Sequence, residues 1–546
     1  MKIAIIGAGG LRTPLILGAI NRRAASLGIT ETALMDTDST ALERMVRLST
    51  LLTRTRAGTG GAEDMAGSAG GTSGAARPVS GAGDPPPAIL PTTSLPEALA
   101  GADFVITTFR AGGMEGRIRD ERIARACGVL GQETTGFGGF AMALRSLPVL
   151  ENVIAEMGRN CPRAWLVNFA NPSGLLAEAA VNFCGWERTV GICDAPAQIH
   201  AIAAAVLGIE KERLSAVYFG LNHLGWFSSF AEKTESGTGE NLMPVILASL
   251  ESAGSLPGFP FPGRFLSNLG LIPNEYLSYY YFRETSVERQ RGSAMSRGET
   301  IRESNRRFLA ELDPLLAAGG GAGTAAEAAA RYFSYITARQ ESSMAMNAPD
   351  GGSAAASPEA SVTAEAAAVE NGAFTARFMK AVRAAMSDHE GYPGVALDVI
   401  GGLRGLSGAE AIVNVPNGGA ISGMDKDDVV EIPVRLGLSA GTAVQGEKAA
   451  QDVPTSPAGT PRNLSPVPIG TIPRHCLGLM LQVKEFEKRT IAAAMERSRQ
   501  GAVTALALHP LIGDLCTAEK LAAALEREAG PLFSPSAGSP GRTAGR

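Results

Sequence analysis

The chain has few cysteines, little net charge and no long apolar run. Its six cysteines stand at irregular positions in 546 residues, which excludes a disulfide framework and indicates a reducing compartment. The net charge of −5 argues against general nucleic-acid binding. No apolar run reaches transmembrane length, and the apolar start becomes glycine-rich too early for a signal peptide. We therefore expect a soluble, cytoplasmic protein without a nucleic-acid or membrane partner.

The length and apolar content of the chain predict a globular protein of at least two domains. Its 546 residues exceed what one core normally supports, and 45% are hydrophobic against 19% charged. Strand and helix patterns alternate over residues 1–195, which predicts a doubly wound parallel α/β sheet of the Rossmann type. We expect a C-terminal α+β domain for substrate binding and oligomerisation over residues 196–533. Composition predicts flexible insertions and a disordered tail at 56–88, 348–372, 438–466 and 534–546.

A glycine-rich turn follows the first predicted strand. It contains Gly7, Gly9 and Gly10 and leads into an apolar helix pattern. Strand, glycine turn and helix N-terminus together form a phosphate-binding entry, although Arg12 occupies the third glycine position of the dinucleotide fingerprint. The second strand ends at Asp36, where a carboxylate can bind the ribose hydroxyls of NAD and repel the extra phosphate of NADP. These features predict an NAD site; the alternative is a structural turn before a surface helix.

Cys193 and His223 each end a short apolar run near the middle of the chain. A predicted helix, about residues 197–207, separates them. If the two runs are neighbouring strands, the thiolate and the imidazole can share a divalent ion and leave positions open for substrate. The alternative is that Cys193 is a small buried hydrophobe and that His223 is a core or surface residue.

Further candidate residues stand at breaks in the apolar pattern. Three arginines in one glycine-bearing segment, Arg117 among them, either hold a phosphate or polyol substrate or are solvated. Glu133 is the carboxylate of the glycine-dense stretch 131–139, which predicts a shaped loop. Asn171 ends another strand. Tyr276 opens a cluster of four tyrosines; it is either part of an aromatic core face or a base whose pKa a nearby cation lowers.

Several longer motifs occur in one order along the chain. They are Gly131-Gln-Glu-Thr-Thr-Gly, Asn171-Pro-Ser-Gly, Gly191-Ile-Cys-Asp-Ala-Pro, Gly220-Leu-Asn-His-Leu-Gly-Trp, Ile272-Pro-Asn-Glu-Tyr-Leu-Ser-Tyr-Tyr-Tyr and Asn414-Val-Pro-Asn-Gly-Gly-Ala-Ile. With these motifs the chain resembles family 4 of the glycoside hydrolases, the NAD-dependent exception to two-carboxylate glycosidase chemistry. The Leu-Asn-His-Leu-Gly-Trp form resembles the 6-phospho-β-glucosidase branch most.

The resemblance implies cofactors, site residues and an assembly. It implies a fold like that of lactate and malate dehydrogenases, a tightly held NAD, and a divalent metal, usually Mn²⁺, bound by Cys193 and His223. It assigns catalysis to Tyr276, as the base, and to Asp194. Substrate contacts are implied for Arg117, Glu133, Asn171 and Asn222. The implied partner is a small phosphoglycoside, and the implied assembly is a homodimer or homotetramer.

The implied reaction is hydrolysis of 6-phospho-β-glucosides, such as cellobiose 6-phosphate, by redox-assisted elimination. Oxidation at C3 acidifies the C2 proton, Tyr276 removes that proton, the C1–O bond breaks, and water addition and re-reduction follow. One alternative is a family 4 α-glycosidase, with or without a 6-phosphate, because Asp194 after Cys193 is common in α-type members. Others are a dehydrogenase of 2-hydroxy acids and a non-catalytic protein that has kept the fold.

Overall fold

The computed structural model describes residues 1–58, 86–235, 237–256, 258–319, 321–347, 363–387, 391–406, 410–437 and 464–530. Most of the three predicted insertions and all of the predicted tail lie outside these ranges. At the edges of the insertions the structure corrects the prediction. Residues 56–58 and 363–372 are helical and 464–466 form a strand. The strand at 464–466 pairs with residues 434–436, which composition alone does not reveal.

The described residues form strands and helices in the following chain order. The strands are β1 (Lys2–Ile6), β2 (Glu31–Met35), β3 (Ala88–Thr92), β4 (Phe104–Thr107), β5 (Trp165–Asn168), β6 (Thr189–Gly191), β7 (Leu214–Leu221), β8 (Leu224–Thr234), β9 (Gly237–Asn241), β10 (Ile272–Pro273), β11 (Glu410–Pro416), β12 (Val429–Leu436) and β13 (Leu464–Pro466). The helices are α1 (Thr13–Leu27), α2 (Ser39–Gly58), α3 (Leu95–Leu99), α4 (Gly113–Ala126), α5 (Gly136–Asn160), α6 (Ser173–Glu178), α7 (Ala195–Leu207), α8 (Met243–Ala253), α9 (Gly263–Leu269), α10 (Ser278–Tyr281), α11 (Arg283–Gly292), α12 (Arg297–Ala317), α13 (Ala322–Asn347), α14 (Thr363–Ser387), α15 (Gly391–Leu403), α16 (Arg474–Glu496), α17 (Arg499–Leu508) and α18 (Leu515–Ala529). Short 3-10 turns lie at Lys211–Arg213 and Glu275–Leu277, and a π-helical turn lies at Ala179–Phe183.

The strands of the described chain join in one sheet. Its first half has the order β3-β2-β1-β4-β5-β6 with every pair parallel, which is the strand order of the Rossmann fold. Strands β11, β12, β7, β8 and β10 continue the sheet with antiparallel pairing. The predicted fold class, a Rossmann-like parallel sheet followed by a mixed α/β part, is confirmed.

Strand β1 is buried on both faces of the sheet. Ile3 and Ile5 join the core on one side, and Ala4 and Ile6 join the core on the other. Helices cover both faces of a parallel sheet, so its strands are unbroken apolar runs rather than alternating ones. Burying each isoleucine contributes about 1.5–3 kcal/mol, which fixes β1 at the centre of the parallel half.

The fold places the candidate residues along one edge of the sheet. The glycine turn follows β1, and α1 begins at Thr13 with Pro14 in its first turn, where the missing N–H has no intrahelical partner to lose. The ends of β2, β4, β5 and β6 open at the same edge because parallel strands share a direction. Within the described ranges, no helix combines the length and apolarity needed to span a bilayer.

Candidate active site

The glycine turn after β1 allows two segments of backbone to approach closely. Gly7 has a φ of 98°, and a Cβ atom there would lie 2.4 Å from the backbone nitrogen of Phe109. A Cβ atom on Gly9 would lie 2.9 Å from Asp36 Oδ2. The Gly10 N–H donates to the Gly7 carbonyl at 3.3 Å and closes the turn. Only glycine fits these approaches, and the resulting cradle has the form that a dinucleotide phosphate requires at a helix N-terminus.

Asp36 stands at the end of β2 and faces the glycine turn. Its Oδ2 accepts the Gly9 N–H at 2.8 Å, and its Oδ1 accepts the Asp38 N–H at 3.0 Å. Each carboxylate oxygen keeps further acceptor capacity, so the group can also accept ribose hydroxyls. Arg12 directly precedes α1, and its Nη1 lies 3.9 Å from Asp194 Oδ2. The structure therefore brings the predicted cofactor residues beside a predicted catalytic residue.

A cavity of about 1350 Å³ opens at this edge of the sheet. A single small ligand usually occupies about 300–1,000 Å³, so the cavity has room for a cofactor together with a substrate. The predicted site residues that line it are Gly7, Gly9, Gly10, Arg12, Asp36, Arg117, Glu133, Asn171, Cys193, Asp194, His223 and Tyr276.

Cys193 and His223 come from strands that are not neighbours in the sheet. Cys193 follows β6, whereas His223 lies in the tight turn between β7 and β8 with a φ of 63°. Strands β11 and β12 lie between β6 and β7, so the prediction of neighbouring strand ends is wrong. The reason is tertiary: the β11–β12 pair, from much later in the chain, hydrogen-bonds to β6 on one side and to β7 on the other. Both side chains nevertheless line the same cavity.

Thr134 orients the imidazole of His223. Thr134 Oγ1 lies 2.8 Å from His223 Nδ1 and 3.1 Å from Gln132 Oε1. Both bonds are satisfied when Thr134 donates to Gln132 and His223 donates through Nδ1–H, an arrangement that leaves the Nε2 lone pair for a metal. Burial lowers the pKa of His223 to about 3, so the imidazole is in the neutral form that binds metals.

The thiol of Cys193 lies in acidic surroundings. The residue is buried, and burial, followed by the charges of Glu431 and Asp194, raises the pKa of the thiol well above its ordinary value. A thiolate is unfavourable there until a cation offsets the neighbouring negative charges. A buried thiol and a neutral imidazole, with the carboxylate of Asp194 lining the same cavity, therefore form a donor set that fits a divalent metal.

Tyr276 lies against the predicted metal ligands. Its ring stacks on His223 with centroids 3.8 Å apart and planes at 11°. Asn274 fixes the 3-10 turn because its Oδ1 accepts the Tyr276 N–H at 3.0 Å. Burial, followed by the charges of Glu275 and Cys193, raises the pKa of the phenol well above its ordinary value. The phenol is therefore neutral here, and only a nearby cation would make it a base.

Arg117 and Glu133 are paired with each other at the cavity wall. Arg117, in α4, donates to Glu133 and also donates through Nε to Glu121 Oε1 at 2.7 Å. Arg110 forms a second ion pair with Glu133. Arg117 is only 9% exposed, so the structure favours a built charged network over the solvated alternative.

The glycine-dense stretch predicted as a loop is helical in its second half. Helix α5 begins at Gly136, and a Cβ atom on Gly138 would lie 1.8 Å from the backbone oxygen of Gln132. Glycine is tolerated in this first turn because the preceding loop folds back onto it. That fold brings Thr134 to His223, a contact that no local sequence pattern indicates.

Two arginines that the sequence did not single out add to the positive charge of the cavity. Arg297 begins α12 and Arg339 lies in α13, and both line the cavity with Arg117 and Arg12. Burial, followed by repulsion from Arg117 and Arg339, lowers the pKa of Arg297 to about 10. Burial also lowers the pKa of Arg339, and Arg12 contributes. Guanidinium groups gathered around one cavity offer donors of the kind that bind an anion.

The two asparagines predicted to bind substrate occupy different positions. Asn171 lines the cavity beyond the end of β5. Asn222 is not among the lining residues; its Nδ2 donates to Glu431 Oε1 at 3.1 Å. Glu431 is wholly buried in β12, and no local motif marks it as a site residue within that apolar strand. A substrate role for Asn222 stays a prediction.

Two relatives show similarity over different lengths. The chain is 26% identical over 448 residues to the phospho-alpha-glucosidase PagL of Clostridium acetobutylicum, covering 79% of this chain and 82% of that relative. It is 36% identical over 188 residues to a 6-phospho-beta-glucosidase of Escherichia coli, covering 34% of this chain and 42% of the relative's length. The relatives include both anomer classes, so the predicted β branch is not resolved by them.

A solved structure shares the fold along nearly the whole chain. It is the 6-phospho-beta glucosidase from Thermotoga maritima with manganese, NAD⁺ and glucose-6-phosphate. The TM-score is 0.66 at 23% identity, and the match covers 97% of this chain and 98% of that one. This likeness supports the mixed α/β architecture described above.

Two family descriptions match most of the sequence. Residues 75–209 match the description Family 4 glycosyl hydrolase. Residues 218–452 and 458–512 match the description Family 4 glycosyl hydrolase C-terminal domain. The matched ranges contain both predicted metal ligands, the predicted base and the cavity residues Arg117, Arg297 and Arg339, and they confirm the resemblance inferred from the motifs: the chain belongs to glycoside hydrolase family 4.

Proposed function

We propose that this chain hydrolyses 6-phospho-β-glucosides with NAD and a divalent metal, Mn²⁺ in the first instance, as cofactors. The observation that carries the proposal is one cavity that combines a glycine cradle, a thiol–imidazole pair and a cluster of arginines. These three features suit a dinucleotide, a metal and a phosphate, respectively. Two relatives are named as enzymes of phosphorylated glucosides, which supports a phosphorylated substrate. The Thermotoga maritima structure contains manganese and NAD⁺, which supports the two cofactors.

The arginines support a phosphorylated substrate. Arg297 and Arg117 lie close enough for their charges to repel, and Glu133 already occupies one face of Arg117. A guanidinium offers planar paired donors that match phosphate oxygens, and a phosphate is a favourable neighbour for guanidinium groups that repel one another. We therefore assign the 6-phosphate of the sugar to this arginine cluster.

The chain's own residues carry the proton chemistry of the proposed reaction. When bound, NAD would exchange a hydride with C3 of the sugar, and the metal would polarise the oxygens on C2 and C3. Tyr276, stacked on His223, would remove the C2 proton. Asp194, whose carboxylate lines the cavity beside Cys193, is assigned to the proton of the departing C1 oxygen. Elimination of the aglycone, addition of water and return of the hydride to C3 would complete the hydrolysis without net oxidation.

A second candidate function is hydrolysis of 6-phospho-α-glucosides. The residue that favours it is Asp194, because an aspartate directly after the metal-binding cysteine is common in α-type members. The similarity to PagL, named as a phospho-alpha-glucosidase, points the same way. The expected homodimer or homotetramer stays a prediction for either substrate.

One assay separates these functions. The purified chain is incubated with NAD⁺, Mn²⁺ and p-nitrophenyl β-glucoside 6-phosphate, beside its α isomer and both unphosphorylated counterparts. We expect nitrophenol release from the phosphorylated β substrate, lost when either cofactor is omitted, with no steady accumulation of NADH. Cleavage of the α isomer alone would transfer the proposal to the second candidate. NADH accumulation with a 2-hydroxy acid, and no glycoside cleavage, would contradict both.

A further inference from the structure

A buried carboxylate lies between the two strands that lead to the predicted metal ligands. Glu431, in β12, is 0% exposed and is paired in the sheet with Gly220 of β7 on one side and with Asn414 of β11 on the other. Asn414 is in turn paired with Gly191 of β6. Cys193 stands two residues after Gly191, so these four paired positions span the width of sheet between the two ligands.

A single oxygen of Glu431 connects both sides of this span. Its Oε1 accepts the side-chain amide of Asn414 at 3.1 Å and that of Asn222 at 3.1 Å. The same Asn414 amide donates to the Gly191 carbonyl at 3.3 Å, and Asn222 directly precedes His223. A continuous path of hydrogen bonds therefore runs from the strand before Cys193 to the turn that carries His223.

The surrounding backbone leaves the two asparagines little freedom to move. A Cβ atom on Gly191 would lie 3.0 Å from the Asn414 Cβ, and one on Gly174 would lie 2.9 Å from the Asn222 Cβ. Glycine at these two positions lets both amides reach Glu431 Oε1. Glu431 Oε1 is therefore the point where the side-chain hydrogen bonds from the β6 side and from the β7–β8 turn meet.

Glu431 differs from a member of an ordinary buried ion pair because its hydrogen-bond partners are uncharged. Its hydrogen bonds in the described structure come from Asn414 and Asn222 at Oε1 and from the Tyr218 hydroxyl at Oε2, the last at 2.7 Å. A buried carboxylate held by neutral donors contributes less to stability than an apolar residue of the same shape would. Stability alone therefore does not account for a glutamate at the centre of this sheet.

We propose that Glu431 is a positioning residue that holds the turn of His223 at a fixed distance from Cys193. The inference rests on the proposed metal site at these two residues. Glu431 acts through Asn222 and Asn414, not by contact with the sugar. Outer hydrogen-bond partners that orient metal ligands typically contribute about 10–100-fold to metal affinity, and this is the size of effect that the bridge predicts.

The test measures Mn²⁺ affinity of the NAD-free, full-length protein by calorimetry, with circular dichroism on each variant. E431Q keeps an amide oxygen for both asparagines, and the Tyr218 hydroxyl can rotate to accept from its NH₂ group; we expect near wild-type affinity. E431L fills the same space but cannot accept a hydrogen bond from either asparagine, and we expect Mn²⁺ affinity to fall about 10–100-fold. Y218F is the matched control, since it removes a buried bond to Glu431 but leaves the Oε1 bridge intact, and its Mn²⁺ affinity should not change.

Three outcomes would overturn the proposal. The first is that E431L folds and binds Mn²⁺ as tightly as the wild type. The second is that E431Q binds Mn²⁺ as weakly as E431L, because the charge of Glu431 and not the hydrogen-bond bridge would then determine the affinity. If E431L does not fold, N222A decides, since it removes only the donor on the His223 side; unchanged Mn²⁺ affinity in N222A would contradict the bridge. C193S tests the proposed metal site itself. If C193S binds Mn²⁺ as tightly as the wild type, or if the wild type binds no Mn²⁺, the proposed metal site is wrong and this inference fails with it.

Discussion

Burial governs the ionisation of single side chains around the cavity. It lowers the pKa of His223 to about 3 and raises that of Glu275 to about 7. It also raises the pKa of Cys193 and Tyr276 well above their ordinary values, with neighbouring negative charges adding to the effect. An arriving cation favours the deprotonated forms of Cys193, Glu275 and Tyr276, whereas His223 is already neutral. We infer that metal binding and proton transfer are linked in this site.

The arginine cluster gives a prediction about the phosphate. R297A should lower kcat/KM for the phosphorylated substrate about 10- to 150-fold, because a charge-assisted hydrogen bond contributes about 1.5–3 kcal/mol. The rate with the unphosphorylated counterpart should not change. R302A is the matched control, since Arg302 lies on the same helix but pairs with Glu115 at the surface. Equal losses with both substrates would remove Arg297 from the phosphate site.

Asp36 gives a prediction about cofactor choice. Its carboxylate is held at the glycine turn by the Gly9 and Asp38 N–H groups, where it would repel the extra phosphate of NADP. We expect activation by NAD⁺ to exceed activation by NADP⁺, and D36A to narrow the difference. Fluorescence titration of the wild type and of D36A with each cofactor measures the difference in affinity. Equal affinity of the wild type for both cofactors would contradict the assignment.

Cys193 gives a prediction about the metal. Serine is a poorer ligand than thiolate for divalent transition metals, so C193S should lose most of its Mn²⁺ affinity and activity. Its circular dichroism spectrum should match that of the wild type, because the exchange removes little volume. Mn²⁺ dependence of activity that is identical in both proteins would exclude Cys193 from the site.

At the scale of strands and helices, the site depends on elements from distant parts of the chain. Five of the six parallel strands and the first helix were predictable because each is a local apolar run bounded by glycine, proline or aspartate. Strand β3 was not predicted, because it is partly exposed and contains Pro91. The insertion of β11 and β12 between β6 and β7 was not, since pairing of distant strands leaves no local pattern. Cys193, His223 and Tyr276 stand in recognisable local motifs. Glu431 and Arg297 reach the site through elements that are distant in the chain, so no local pattern indicated them.

Helix α16 gives a prediction about stability at this scale. Lys484 is 3% exposed and donates to Glu178 of α6 at 2.9 Å and to Glu487 at 2.6 Å, and Glu178 also accepts the Val429 N–H of β12. K484M leaves two buried carboxylates without their cation and should lower the free energy of unfolding by about 3–5 kcal/mol.

Urea unfolding of K484M measures the decrease in the free energy of unfolding, and R489A is the control. Arg489 forms an exposed pair with Glu485 on the same helix, and such pairs contribute about 0.2–1 kcal/mol. Indistinguishable midpoints for the two variants would show that the buried network does not join α16 to the sheet.

At the scale of the whole molecule, one sheet joins the parallel half, which carries the glycine turn, to the antiparallel half that completes the cavity. The glycine turn follows β1, Cys193 follows β6, and His223 and Tyr276 come from the antiparallel continuation. The cavity therefore receives its cofactor cradle from one half and its proposed base from the other. This arrangement suits a reaction in which oxidation at C3 precedes removal of the C2 proton, with both events on one bound sugar.

Deuterium at C2 of the product tests that order of events most directly. The chain, NAD⁺ and Mn²⁺ are incubated with p-nitrophenyl β-glucoside 6-phosphate in D₂O, and the glucose 6-phosphate formed is examined by NMR. We expect deuterium at C2, because the C2–H bond breaks and re-forms from solvent. Y276F should be slower by about 10²–10⁴-fold, the usual loss for a general base, with Mn²⁺ and NAD⁺ binding retained. Rapid turnover with protium kept at C2 would contradict the elimination mechanism, because direct displacement at C1 never breaks that bond.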